Sequence, residues 1–568
     1  MLRIFALTVL VFSSTCAFSQ THPETVYPQN YFRDPLDIPI KLAANFGELR
    51  ENHFHMGLDI RTEGRTNLPV HAAADGWIAR VKIEPEGFGQ AIYINHPNGY
   101  TTVYAHLNEF FPGLAAYVKR EQYKQESWSV FLDIPKGLFK VKKGDLIAHS
   151  GNTGGSQGPH LHFEIRRTSD DTNLNPMLFG FPIPDQVAPV IQRLAIYNGS
   201  ASIYEQSPIL IPVKDAAGSF SIPLTVGWPS VRFGISAFDQ QSGSTNPNGI
   251  FEAILFDHDE RILSFQMDNI NYDQTRNINA HVDYKTRAQG GPYIQQLFEL
   301  SGYNPSIYQT PGGNGVIDIS DGRNHSIRIE VKDGHGNTSM LRFKISFKQN
   351  DGASSSTIPG GNEFYPGMLG TYESDDCSFY VGEKALYDSV HLKYTRIAPA
   401  SPSSISALHS IGEEYIPLQD SFMVRIKPTR ELSEEERLKV LIKREVRKKF
   451  EVRSPQWQGG WASAGFRGFG VFELVIDNEA PQIIPVKFND GANLQQATEL
   501  KILVKDNTDS YKNFRAELDG KWLRFTNDKG KYFIYRFDER CPRGPHTLKI
   551  TVEDEAGNVA NKVIGFRR

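Results

Sequence analysis

Histidine is unevenly placed along this chain, and its placement points to chemistry. Eight of the 16 histidines fall within residues 53–162, where even scatter puts about three. Two clusters stand out. In the run Asn52 to Ile60, His55 and Asp59 lie four apart with Gly57 midway. Read as a strand, positions 55, 57 and 59 share a face, and the missing side chain at 57 leaves room for an ion between the flanking residues. In Gly158 to Ile165, the polar residues His160, His162 and Glu164 alternate with Leu161, Phe163 and Ile165, so a strand there has one reactive face and one core face. Two imidazoles and a carboxylate drawn from distant segments are the donor set of a three-ligand zinc site whose fourth position stays open, as catalysis requires. One histidine is then to spare. The helical H-E-x-x-H arrangement is absent, which excludes that design of metalloprotease.

The elements that must hold these residues read as strands. Short alternating segments such as Ala91–Asn95, Tyr100–Ala105, Ser326–Val331 and Thr547–Val552 are punctuated by Gly, Pro, Asn and Asp, and long amphipathic helices are scarce. The expected fold class is mainly β. The best helical candidate starts at Ser433, an N-cap followed by Glu434, Glu435 and Glu436; the stretch from Val440 to Val452 reads equally well as a strand pair. An internal repeat sets the downstream boundaries: Asp185 to Ile191 and Asp477 to Ile483 share D-x-x-A-P-x-I, and each opens a β-rich stretch that ends in D-x-x-G-N at Asp333–Asn337 and Asp554–Asn558. These stretches resemble immunoglobulin-like β-sandwich modules, the first enlarged by an insertion, with D-x-x-G-N as a hairpin turn. The domain reading is a signal peptide at 1–19, a catalytic domain at 20–182, a sandwich with insertion at 183–350, a β-rich domain without a recognisable motif at 351–476, and a second sandwich at 477–568.

Composition bounds the function. At 568 residues the chain is long enough for several domains, and 39% apolar with 22% charged residues is ordinary globular usage. A net charge of −4 (61 basic minus 65 acidic residues) is too balanced for a surface built to neutralise nucleic-acid phosphates. The first residues carry Arg3, an apolar run from Ile4 to Phe12 and a small-x-small site ending at Ser19, the layout of a secretory signal. Nine apolar residues are too few to span a bilayer, so the mature chain is expected to be exported, to the periplasm or cell envelope, with no transmembrane segment. Cys16 lacks the preceding residues of a lipoprotein signal, so lipid anchoring is not expected. Cys377 and Cys541 remain, more than 160 positions apart; they read as two separate thiols or one bridge, not as a disulfide scaffold.

With these residues in view, the chain resembles the lysostaphin/LytM-type zinc metalloendopeptidases of bacterial cell walls. The resemblance rests on H-x-G-x-D at His55–Asp59, Tyr-Ala-His-Leu at Tyr104–Leu107, Val141–Ile147 with Ser150–Gly154, and H-L-H-F-E at His160–Glu164, in that order, across roughly residues 36–182. It implies a small antiparallel β domain of the duplicated hybrid motif kind, one Zn2+ bound by His55, Asp59 and His162, and His106 and His160 as catalytic histidines. It also implies hydrolysis of peptide cross-links or stem peptides of peptidoglycan, with peptidoglycan peptides as substrate and other envelope proteins as partners of the C-terminal modules. The competing reading is a catalytically silent envelope protein that uses the same groove to bind wall or partner. A lipoyl-type carrier is excluded by the lack of a lysine at a hairpin tip and by the histidines themselves.

Other residues take plainer roles. His53 lies two before His55 but exceeds the usual ligand count, and His71 and His96 sit beside turn signals. Glu164 is either a partner that orients a ligand imidazole or a solvated strand carboxylate. Asp333 with Asn337 is a thin oxygen set for calcium, lacking the carboxylate density of an EF-type loop. The basic run Lys443–Lys449 reads as a solvated face. Residues 108–140, with Phe110, Phe111, Trp128 and Phe131, form a longer connection than the compact family pattern; they read as a lid over the groove or as a peripheral hairpin.

Overall fold

The strands that carry the histidine clusters meet in one antiparallel sheet. The computed structural model describes residues 26–214, 223–303, 306–349, 360–399, 403–447 and 449–568; the signal-peptide and Cys16 expectations lie outside them. The sheet contains β1 (Leu42–Ala44), β2 (Leu58–Arg61), β3 (Gly76–Ile83), β4 (Gln90–Asn95), β5 (Tyr100–Ala105), β6 (Val130–Asp133) and β7 (His160–Arg167) in the spatial order β1-β2-β7-β5-β4-β3-β6. The reactive strand β7 is therefore central, flanked by β2 and β5. Its alternation is realised as read: Leu161, Phe163 and Ile165 are fully buried in the core with Leu58, Ile60, Tyr104 and Ile92, while His160, His162 and Glu164 face the other way. A second sheet of Pro69–His71, Leu146–Ser150 and Leu107–Phe110 packs against the first through Val70, Ile147 and Leu107.

The described residues are 46% strand and 8% helix, which bears out the mainly β expectation. The connection 108–140 corrects both readings offered for it. It forms helix α1 (Pro112–Gln125) and then β6, which pairs with β3, and neither roofs the site. Pro112 opens the helix and Leu114, Val118 and Gln122, spaced four apart, are its buried stripe.

Downstream, residues 190–347 form two sheets and residues 482–567 form two more. In the last unit Leu500, Ile502 and Tyr535 of one sheet face Leu548, Ile550 and Phe566 of the other across a core. The short helix at Glu434–Leu438 carries a complete capping box between Ser433 and Glu436, and Val440–Val446 pairs with Lys449–Arg453 as a hairpin, so both readings of that segment hold in succession. The basic run is not a free cationic patch: Lys443 pairs with Glu473 at 3.2 Å and Arg447 with Glu414. Cys377 and Cys541 are separate buried thiols.

The first downstream unit is joined to the sheet of β7. Asn173–Leu174, which pairs with the end of β7, pairs in turn with Asn269–Ile270. Phe46, Phe54 and Met56 belong to the large core of residues 191–474 rather than to the core behind β7.

Candidate metal centre and active site

Register places the first two ligands. In the β2–β7 ladder Asp59 lies directly opposite His162, so their side chains share one face by construction. His55 is not on the same strand as Asp59, contrary to the sequence reading; residues 55–57 are a connection between the short strand His53–Phe54 and β2. This connection folds His55 back over Asp59. Gly57 has a different role from the one expected. A Cβ there would lie 2.4 Å from the Phe163 carbonyl oxygen and 3.1 Å from His162 Nε2, so the bare backbone admits β7 and the back of the His162 ring, not the ion.

The three candidate ligand atoms make a small triangle. His55 Nε2 is 3.0 Å from Asp59 Oδ1, His162 Nδ1 is 2.9 Å from the same oxygen, and the two nitrogens are 3.1 Å apart. Three tetrahedral ligands about 2.05 Å from zinc stand roughly 3.3 Å from one another, so the set closes on an ion with shifts of a few tenths of an ångström. The donor chemistry fits as well. His55 Nδ1 donates to the Asn45 carbonyl at 2.7 Å, and His162 Nε2 donates to Glu164 Oε1 at 2.9 Å. Each outer partner holds a proton on the far nitrogen and leaves the inner nitrogen's lone pair for a cation. All three residues are buried.

Glu164 is fully buried, which settles the choice left open by its sequence. Burial raises its pKa, but Arg166, whose Nε donates to Oε2 at 2.7 Å, and His162 override this and hold the carboxyl down to about 2. Burial works against charge on His162, yet the bonds to Asp59 and Glu164 lift that imidazole to about 9. Burial likewise opposes ionisation of Asp59, and His55, His160 and His162 hold it well below the carboxylate range. The cluster is a buried carboxylate between imidazoles, a place where positive charge is favoured.

His106 and His160 stand beside the triangle. The His106 and His160 ring centroids are 4.7 Å apart, and His160 Nε2 is 3.3 Å from Asp59 Oδ1. His106 has a left-handed backbone (φ 59°) at the end of β5, and its Nδ1 donates to the Thr153 carbonyl at 2.8 Å. His160 Nδ1 donates to the Gly158 carbonyl at 2.8 Å. In both rings Nε2 is thereby the basic atom facing the cleft. Burial, followed by the neighbouring His162 and His160, pushes His106 down to about 3 and keeps it neutral. The cleft has a volume of about 730 Å3 and is lined by His55, Asp59, His106, His160, His162 and Glu164.

The remaining sequence candidates fall outside the triangle. His53 lines the cleft rim with Nδ1 bonded to the Glu51 carbonyl. His96 is buried between the Asp75 carbonyl and Thr102, and His71 pairs with Asp37. The sequence did not signal the cleft residues supplied from downstream. Tyr272 and Thr275 form part of its wall, with Thr275 Oγ1 accepting from the Phe54 amide at 3.0 Å. From the last unit, Asp528 accepts from the Gly154 amide at 2.8 Å, and Lys529 reaches the Ser156 carbonyl in the loop that precedes His160.

The same part of the chain is similar to known proteins. Residues 53–123 and 136–176 match peptidase family M23, and the gap covers the end of α1 and all of β6. The chain carries an M23 peptidase domain. Similar proteins include the DD-carboxypeptidase/endopeptidase Mpg of Neisseria meningitidis, 33% identical over 131 residues, which are 23% of this chain and 24% of that one. The peptidoglycan DD-endopeptidase ShyA of Vibrio cholerae is 30% identical over 139 residues, 23% of this chain and 26% of its own. The M23 region thus spans about a quarter of the length of these relatives. Among solved structures, the catalytic domain of lysostaphin from Staphylococcus simulans is 25% identical, covering 25% of this chain and 91% of that domain, with a TM-score of 0.19. Residues 368–477 match a Zu5-like domain, an assignment that no motif in the sequence signals.

Proposed function

We propose that this chain is a zinc-dependent endopeptidase that hydrolyses peptide cross-links of peptidoglycan in the bacterial envelope after export. The observation that carries the reading is the triangle of His55, Asp59 and His162 with two further imidazoles at its open side. The names of the relatives, DD-endopeptidases, direct the substrate towards D,D bonds of the cross-link.

In this reading His55, Asp59 and His162 hold one zinc ion, through His55 Nε2, an Asp59 carboxylate oxygen and His162 Nδ1. Zinc bound there supplies a Lewis acid for the scissile carbonyl and brings the pKa of a water towards neutrality. His160 serves as general base: its Nε2 takes a proton from the attacking water, and the nearby Asp59 carboxylate stabilises the imidazolium that results. The same ring returns the proton to the departing amine. His106, held neutral with Nδ1 occupied, accepts a hydrogen bond at Nε2 and orients the water. Glu164 and the Asn45 carbonyl fix the ligand rings. Residues 183–350 and 477–568 act as immunoglobulin-like modules that contact wall or envelope partners; the first adds Tyr272 and Thr275 to the cleft wall, and the second holds the loop before His160 through Asp528 and Lys529.

The test is to digest purified sacculi with wild type and His162→Ala, reading muropeptides by mass spectrometry and bound zinc by elemental analysis. Wild type is expected to carry zinc and to convert cross-linked dimers to monomers, and the variant to do neither. Dimers lost with the variant as well would refute the site assignment. Zinc bound by wild type without any cleavage would favour the silent wall-binding alternative.

A further inference from the structure

The first and last downstream units carry matching histidines at the starts of matching strands, but surround them differently. His325 stands eight positions before Asp333, and His546 eight before Asp554. In the first unit the strand Glu252–Asp257 pairs with His325–Lys332 in the register Asp257↔Ile327, so His325, two positions on, is the diagonal neighbour of Asp257 on the same face. In the last unit Tyr511–Leu518 pairs with Pro545–Asp554 in the register Leu518↔Leu548. Leu518 therefore stands where the first unit has Asp257, and Asp519 where it has His258.

A tight turn completes the first cluster. His258 and Asp259 both have a left-handed backbone (φ 47° and 67°) and form the two-residue turn that joins Glu252–Asp257 to Glu260–Gln266. The His258 amide donates to the Ser326 carbonyl at 3.0 Å, which fixes the turn against the neighbouring strand, and the His258 and His325 ring centroids are 5.2 Å apart.

Asp257 lies between these two imidazoles. His325 Nδ1 is 2.8 Å from Oδ2, and His258 Nδ1 is 2.8 Å from Oδ1. The second approach is out of line for a hydrogen bond, and Oδ1 is buried without a hydrogen-bond partner. Neither ion-pair partner of Asp257 is a lysine or an arginine. One ligand atom each from Asp257, His258 and His325 lies within 4.8 Å of the other two, so a small rotation of the exposed His258 ring closes the set on an ion. His325 Nε2 donates to Asp321 Oδ1 at 3.3 Å, and that oxygen is itself held by the Arg323 amide at 2.9 Å. A proton on Nε2 leaves Nδ1 for a cation, as Glu164 does for His162. The last unit is the contrast. His546 Nδ1 donates to Asp519 Oδ2 and Nε2 to the Pro542 carbonyl, both at 2.7 Å, so both nitrogens are occupied by protons and the pair needs no metal.

We propose that Asp257, His258 and His325 bind a second zinc ion, remote from the cleft, with Asp321 orienting His325 and water completing the coordination. Two imidazoles and a carboxylate select zinc over the hard cations calcium and magnesium. The ion ties the turn to the start of the strand His325–Lys332. It is exchangeable, because the His258 side chain is 56% exposed and must be ordered when the ion enters. Zinc that survives desalting therefore belongs to the triangle of His55, Asp59 and His162, and zinc taken up afterwards belongs here. The site stands whether or not the chain hydrolyses wall.

The experiment is calorimetric titration of ZnCl2 into the full-length protein, first charged with zinc and desalted, and repeated for His258→Asn, His325→Gln, His546→Gln and His162→Ala. Asparagine suits the left-handed turn position, so His258→Asn removes the imidazole and keeps the backbone. Wild type is expected to take up one further zinc ion per chain, and so are His546→Gln and His162→Ala, the last even if its triangle is empty. His258→Asn and His325→Gln should lose that uptake. No uptake by wild type overturns the proposal and leaves a proton shared between His325 and its two carboxylates. Uptake that survives His258→Asn, even where His325→Gln fails to fold, or that is lost in His546→Gln or His162→Ala, overturns it as well. Retained zinc that His162→Ala does not lower counts against the triangle alone.

Discussion

Glu164→Gln separates orientation of the metal ligand from simple structural support. Glu164 Oε1 accepts the Nε2 proton of His162 at 2.9 Å, and Oε2 accepts from Arg166 Nε at 2.7 Å. Glutamine keeps the shape and one acceptor but loses the charge that makes His162 a better donor to a cation. Outer partners of this kind change metal affinity by about 10- to 100-fold, which is ~1.4–2.7 kcal/mol. The substitution also strands the Arg166 guanidinium, which is 6% exposed, and a buried charge that loses its partner costs about 3–5 kcal/mol of stability. The two effects are separated by the double variant Glu164→Gln/Arg166→Met, which removes the stranded charge and should recover most of the stability without recovering the affinity. The assay is competition for zinc against a chromogenic chelator, run beside thermal denaturation. Wild-type zinc affinity in both variants would refute the claim that Glu164 sets the His162 tautomer, whatever happened to stability.

Three further outcomes are expected. Gly57→Ala places a methyl group 2.4 Å from the Phe163 carbonyl and 2.9 Å from Glu164 Cγ, so β7 must shift; about 1–3 kcal/mol of stability should be lost, together with zinc content measured by elemental analysis, and a zinc-replete variant with the wild-type melting temperature would contradict the packing role. His281 is fully buried between Tyr308 and Gln295, and burial lowers it from 6.5 to about 4. The unfolded chain therefore binds a proton that the folded one refuses, and stability should fall as pH drops from about 6.5 towards 4, by up to about 1.4 kcal/mol per pH unit for this proton; denaturant midpoints of His281→Gln should show a shallower fall than wild type. Lys119 on α1 pairs with Asp538 at 2.8 Å and Glu539 at 2.7 Å. Lys119→Glu should loosen the last unit by about 0.2–1 kcal/mol per pair, seen as faster limited proteolysis near residue 477, and Lys119→Glu/Asp538→Lys should slow it again.

The candidate ligand on β7 is legible in the sequence because alternation alone assigns His160, His162 and Glu164 to one face; His55 and Asp59 are named by the family resemblance, while the shared strand read for them is not formed. What depends on burial is not legible. Glu164 looks the same in sequence whether it meets water or His162 and Arg166, and only its place beneath a packed strand decides. Gly57 is the converse case: its lack of a side chain is conspicuous but the neighbour that requires it is not, because the contact that forbids a Cβ comes from a strand more than 100 positions away. Helix α1 leaves a readable trace, Pro112 followed by Leu114, Val118 and Gln122 at four-residue spacing, which the surrounding aromatic residues obscure. Lys529 leaves none, since its contact with Ser156 spans 373 positions.

The downstream units bear on chemistry because the His55 connection is not held by its own domain alone. His55 lies between Phe54 and Met56, and both side chains are buried in the core of residues 191–474. The Asn45 carbonyl that sets the His55 tautomer belongs to a residue whose amide side chain is clamped by Gly249, donating to its carbonyl at 2.7 Å and accepting from its amide at 2.8 Å. Asn52 accepts from Asn279 at 3.1 Å, and Phe54 is bonded through both backbone groups to Thr275. Asp59 and His162, by contrast, are fixed by the β2–β7 ladder inside the M23 domain. One vertex of the triangle is thus anchored in a different hydrophobic core from the other two. Any motion of the first downstream unit relative to β7 changes the distance from His55 Nε2 to Asp59 Oδ1, and with it the closure of the site. The strand pairing of Asn173–Leu174 with Asn269–Ile270 resists that motion directly, by making the two bodies share backbone hydrogen bonds rather than side-chain contact alone.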